Sequence, residues 1–152
     1  MPPRATEPAA AVATRIEFYV LATAGEAACL ATACRLVDKA RSQGLSVWIR
    51  TTSAAQSAAI DRELWTWRRG SFIAHRIHAP GRRPWPVLIG TGAPPESHRA
   101  LLLNLADDVP DGFEACSRLI EIVDAREDIL AASRARYKVY RDRGFAPSTV
   151  RL

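Results

Sequence analysis

Three stretches near the start of the chain restrict its fold more than anything else in it. Ile16 to Leu21 reads IEFYVL, a compact run with β-branched and aromatic residues, the pattern of a strand buried on both faces. Thr23 to Gly25 supplies a turn. Glu26 to Gln43 then places Cys29, Leu30, Cys34 (or Ala33), Leu36, Val37 and Ala40 close to helical spacing, with Gly44 at the expected stop. Leu45 to Arg50 (LSVWIR) is a second apolar strand. A strand, a helix and a strand in this order imply a parallel pair joined by a right-handed crossover.

The same alternation continues. Ser53 is a good N-cap for a helix running through Leu64 and Trp65, because its side-chain oxygen can accept from an early orphan N–H. A turn is expected at Gly70, and short strands at Phe72 to Ala74, Val87 to Ile89, Leu101 to Leu105 and Leu119 to Val123. Pro80 to Pro86 is a Gly/Arg/Pro-rich loop, Gly90 to Pro95 a turn region, and the last strand feeds a C-terminal helix from about Ala125. Such a pattern predicts an α/β fold with a mostly parallel, doubly wound sheet, flanking helices and a long C-terminal helix. At 152 residues the chain is one domain on length. Met1 to Thr14 is Pro/Ala-rich without periodicity and is expected to be a disordered leader, which leaves residues 15–152 as the domain.

Composition excludes several classes of function. No window reaches the roughly 18 apolar residues of a membrane span, and the opening residues lack the pattern of a secretory signal, so a cytoplasmic protein is expected. The three cysteines, Cys29, Cys34 and Cys116, have no CxxC spacing and are expected to be buried free thiols. After the first strand, ATAGEAA contains no GxGxxG, and no GxxxxGK[ST], GxSxG or HExxH occurs anywhere. His75 and His78 lack a third ligand and are expected to be structural, while His98 is expected at the surface. No catalytic residue, metal or cofactor is expected, and a binding function gains weight.

Two surfaces suit binding. In the closing helix, Arg134, Lys138 and Arg141 fall on one narrow arc at about 100° per residue, beside Ile129, Tyr137 and Tyr140 on the arc that faces a core. Gly144 follows as a C′ residue, with Phe145 where a side chain can fold back onto the last turn. A basic groove with an apolar floor captures a chain terminus that carries both a carboxylate and a large side chain. Trp65, Trp67 and Phe72 form an aromatic group of the sort that marks protein interfaces. A net charge of +5 favours polyanions, and Arg68, Arg69, Arg82 and Arg83 support non-specific attraction to nucleic acid.

Taken together, Arg15 to Leu21 (RIEFYVL), the block from Glu63 to His75 (ELWTW...SFIAH), Trp85 to Gly90 (WPVLIG) and Ala135 to Phe145 (ARYKVYRDRGF) resemble the chi subunit of bacterial DNA polymerase III holoenzyme. The resemblance implies a Rossmann-like fold without an enzymatic site of its own, in an accessory subunit of a DNA-directed DNA polymerase complex. It implies binding of the acidic C-terminal tail of single-stranded-DNA-binding protein by Arg134, Tyr137, Lys138, Arg141, Phe145 and Thr149, with Tyr137 and Phe145 walling a pocket for the tail's terminal aromatic ring. It further implies a clamp-loader partner, the psi subunit or another subunit, at Trp65 and Phe72, with a helicase as an alternative partner and nucleic acid contacted mainly indirectly. Leu130 stands where family members often carry a further cation, and the leader before Arg15 is longer than the family start. Direct nucleic-acid binding and adaptor work for a repair helicase are the alternatives.

Overall fold

A computed structural model of the chain describes residues 13–68 and 72–152. Residues 1–12 of the expected leader and the turn at Gly70 lie outside the described residues. Thr14 is buried, and its hydroxyl donates to the Cys116 carbonyl at 2.7 Å. That bond anchors the chain just before the first strand.

The elements run β1 (Arg15–Val20), α1 (Glu26–Ser42), β2 (Val47–Arg50), α2 (Ala54–Trp65), β3 (His75–Ile77), β4 (Val87–Gly90), β5 (Leu101–Asn104), β6 (Arg118–Val123), α3 (Glu127–Asp142) and β7 (Ser148–Arg151). The seven strands form one sheet in the order β3-β4-β2-β5-β6-β1-β7, with parallel pairing throughout. The expected α/β architecture is therefore present. Ser53 caps α2 as its side chain suggests: the hydroxyl accepts from Gln56 N at 3.1 Å.

Sheet order decides which helix lies on which face. The β1–α1–β2 and β2–α2–β3 connections carry the chain one way along the sheet, and β6–α3–β7 carries it the other way. Crossovers of one hand running in opposite directions must lie on opposite faces. Two cores follow. Val47, Ile49, Ile89, Leu103 and Ile120 pack under α1 and α2, while their strand neighbours Trp48, Leu88, Leu102 and Leu119 join Phe18 and Tyr140 under α3.

Three local expectations need correction. The short strand expected at Phe72 to Ala74 lies three residues later, because the ladder pairs His75 with Val87 and Ile77 with Ile89. Ile73 is buried for packing, and Phe72 points to solvent. His98 is buried, with Nε2 2.6 Å from the Trp85 carbonyl and Nδ1 2.7 Å from the Ser97 hydroxyl. Nothing in the sequence predicts strand β7: STVR has no apolar run, and it forms because the edge of β1 pairs with it from Glu17 to Val20.

Candidate functional site

Helix α3 starts with Glu127 and Asp128 in its first turn and ends with Arg141 in its last, both favourable for the helix dipole. Asp124 Oδ1 accepts from Arg126 N at 2.8 Å and satisfies a donor at the helix start. At the other end Gly144 adopts φ +92°, Gly144 N donates to the Arg141 carbonyl and Phe145 N to the Tyr140 carbonyl, each at 3.0 Å. This is a Schellman closure, which needs a residue free of Cβ crowding at Gly144.

The inner face of α3 is pinned by a polar row that the sequence reading did not single out. Arg50, Asn104 and Glu121 lie side by side in register across β2, β5 and β6. Arg50 Nη1 lies 3.2 Å from Asn104 Oδ1, and Asn104 Nδ2 donates to Glu121 at 2.8 Å. From α3, Arg136 Nε reaches Glu121 at 3.1 Å and the Tyr140 hydroxyl reaches it at 2.5 Å. Burial first, then the adjoining Glu121 charge, pushes the Tyr140 phenol well above its ordinary value, so it stays a donor. A glutamate at the centre of the apolar strand RLIEIV is the signal that could have revealed this row, since a buried carboxylate requires donors.

With α3 held in that way, its outer flank and the sheet edge leave a groove of about 360 Å³. The floor is apolar, from Phe18, Val20 and Leu21 on the sheet side and Leu130 and Tyr137 on the helix side. Arg134 stands on the helix wall, and Thr149 and Arg151 on the β7 wall. Among the described residues, no carboxylate lines it. Among the described residues, the side chains of Arg134, Lys138, Arg141 and Arg151 enter no ion pair, in contrast to Arg50, Arg118, Arg126 and Arg136. An apolar floor rimmed by unneutralised cations favours an anionic partner with a hydrophobic group.

The structure brings Arg134, Tyr137 and Thr149 together in this groove. Lys138 and Arg141 are exposed on the helix but do not line it. Phe145 does not line it either. The turn at Gly144 swings Phe145 back beneath the helix, where its ring lies 5.2 Å from that of Phe113 in the α3 core. Arg151 is the lining cation that sequence periodicity missed, because it lies on a strand without a hydrophobic signature.

Trp65 and Phe72 lie beside β3, at the opposite edge of the sheet. They are 53% and 67% exposed with ring centroids 5.7 Å apart, and Ile77 is exposed close by in sequence. Trp67 leaves this group and packs, half-buried, against the α1/α2 core. His75 is buried against the Trp65 ring, with Nδ1 2.7 Å from the Ile73 carbonyl and Nε2 3.0 Å from Asp61 Oδ1. His78 meets the Trp48 ring edge-on. Among the described residues no three His, Cys, Asp or Glu side chains gather as metal ligands, and no helix is long and apolar enough to cross a membrane. Cys29, Cys34 and Cys116 are buried free thiols; burial raises the first two to about 12 and the third to about 11.

Residues 13–148 match the family model described as DNA polymerase III chi subunit, HolC. The chain is 37% identical over 139 residues to the DNA polymerase III subunit chi of Pseudomonas aeruginosa, covering 91% of this chain and 97% of that one. It is 29% identical over 140 residues to the protein of that name from Haemophilus influenzae, covering 91% and 97%. To the Escherichia coli protein of that name it is 26% identical over 123 residues, covering 76% and 80%. The chain belongs to the DNA polymerase III chi subunit family.

Proposed function

We propose that this chain is a non-catalytic accessory subunit of DNA polymerase III in DNA replication, joining the clamp loader to single-stranded-DNA-binding protein through that protein's acidic C-terminal tail. The observation that carries the reading is the α3–β7 groove: an apolar floor, cations on both walls and, among the described residues, no carboxylate. The tail's terminal aromatic ring rests on the groove floor against Val20 and the outer edge of Tyr137, whose ring packs on the buried Phe18 beneath. Its carboxylates meet Arg134, with Lys138 and Arg141 drawing the acidic segment along the helix. Charge-assisted hydrogen bonds of this kind contribute roughly 1.5–3 kcal/mol each when partly desolvated. A few of them give an exchangeable complex suited to a handoff.

The second partner, the psi subunit or another clamp-loader subunit, docks on Trp65 and Phe72. Support for two simultaneous partners comes from the sheet order, which puts β3 and β7 at opposite edges. Six strand spacings of about 4.8 Å separate them by roughly 29 Å, enough for both to bind without collision. The test is binding of a fluorescent acidic peptide ending in Phe, at two salt concentrations. Salt-sensitive binding that Arg134→Ala weakens by more than about 1 kcal/mol is expected. Binding indifferent to Arg134→Ala rejects the site, and tight binding of bare oligonucleotides by this chain alone would favour direct nucleic-acid recognition instead.

A further inference from the structure

We infer that Arg151, carried by β7, is the second anchoring cation of the groove, so that the anionic end of the bound peptide is clamped between helix and strand instead of lying along the helix alone. The inference rests on the tail-capture reading above and adds a residue and a geometry to it. In the β1–β7 register Phe18 lies beside Thr149 and Val20 beside Arg151. Residues two apart on a strand share a face, so Thr149 and Arg151 stand on the same side of the sheet as Phe18, the side that α3 covers. All four, with Arg134 across from them, line one groove.

Arg151 is not tied up elsewhere among the described residues. It is exposed, and it forms no ion pair or side-chain hydrogen bond among the described residues. Of the cations on α3, Lys138 and Arg141 lie along the helix outside the groove, so Arg134 is the helix cation that meets the carboxyl end of the peptide inside it. Leu130, one turn before Arg134, adds only apolar surface there. The chemistry that two arginines on facing walls recognise is a terminal carboxylate flanked by side-chain carboxylates, with the last side chain apolar and seated on the floor.

The test uses the full chain and the same Phe-ended acidic peptide, titrated against wild type, Arg134→Ala, Arg151→Ala, Arg151→Lys and Arg35→Ala. Arg35 is an exposed residue of α1, on the other face of the sheet. Arg151→Ala is expected to weaken binding about three- to fivefold, Arg151→Lys to retain most of it and Arg35→Ala to leave it unchanged. Wild type that fails to bind the peptide removes the tail-capture reading and this inference together. Wild type that binds and is weakened by Arg134→Ala but not by Arg151→Ala overturns the inference alone. Equal losses for Arg151→Ala and Arg35→Ala also overturn it, since overall charge then accounts for the effect.

Discussion

Replacing Tyr140 by Phe isolates the bond that fixes α3 to the sheet. The ring keeps its place, 5.0 Å from the Phe113 centroid and 5.9 Å from that of Phe18, and only the hydroxyl is lost. That hydroxyl donates to a fully buried carboxylate at 2.5 Å, whereas Arg136 and Asn104 continue to serve Glu121 after the change. The cost is therefore one charge-assisted hydrogen bond, about 1.5–3 kcal/mol, and not the larger penalty of an orphaned buried charge. For a urea slope of about 2 kcal/mol per molar, the unfolding midpoint should fall by roughly 0.75–1.5 M. Tyr137→Phe is the internal comparison. Its hydroxyl donates at 3.1 Å to the neutral carbonyl of Pro147 from a half-buried position, so about 0.5–1.5 kcal/mol is expected. If Tyr140→Phe costs no more than Tyr137→Phe, the buried row does not pin the helix and the reasoning fails.

Two further predictions concern ionisable groups. With thiols pushed up to about 11–12 by burial, the folded protein should react negligibly with Ellman's reagent at pH 8, and all three cysteines should react once guanidinium unfolds it; rapid labelling of the native state contradicts the packing described. Burial alone would raise Asp124, but hydrogen bonds from the Arg126 side chain and backbone hold its carboxyl below the ordinary 3.8. The unfolded chain then binds this proton more readily than the folded one, so the contribution is complete above about pH 4 and fades as pH falls through the folded value. The stability deficit of Asp124→Asn against wild type, measured by urea titration, should shrink below that pH. A deficit unchanged down to pH 2 excludes the assigned role.

What the sequence makes legible follows from burial. Strands β2, β4, β5 and β6 are covered on both faces, so they appear as continuous apolar runs such as VLIG and LLLN, and α1 shows its buried stripe ending at Gly44. Edge strands lack that constraint. β7 is largely exposed, and nothing in STVR distinguishes a ladder from a loop until β1 is placed beside it. The groove was half visible for the same reason: Arg134 and Tyr137 follow from helical periodicity, whereas Arg151 depends on a pairing between distant segments. Long-range partners also account for His98, whose Trp85 acceptor is thirteen positions away, and for Arg136, which reads as one more surface charge until Glu121 appears beneath it.

The place of β1 in the sheet has a consequence for biosynthesis. Both of its neighbours, β6 and β7, come from the last third of the chain, with Arg15 meeting Arg118 and Val20 meeting Arg151. A ribosome therefore releases IEFYVL long before anything exists for it to pair with, and closure of the sheet waits on contacts of high sequence separation. Until then the emerging polypeptide presents a sticky, strand-forming hexamer, a natural target for the chaperones that attend translation.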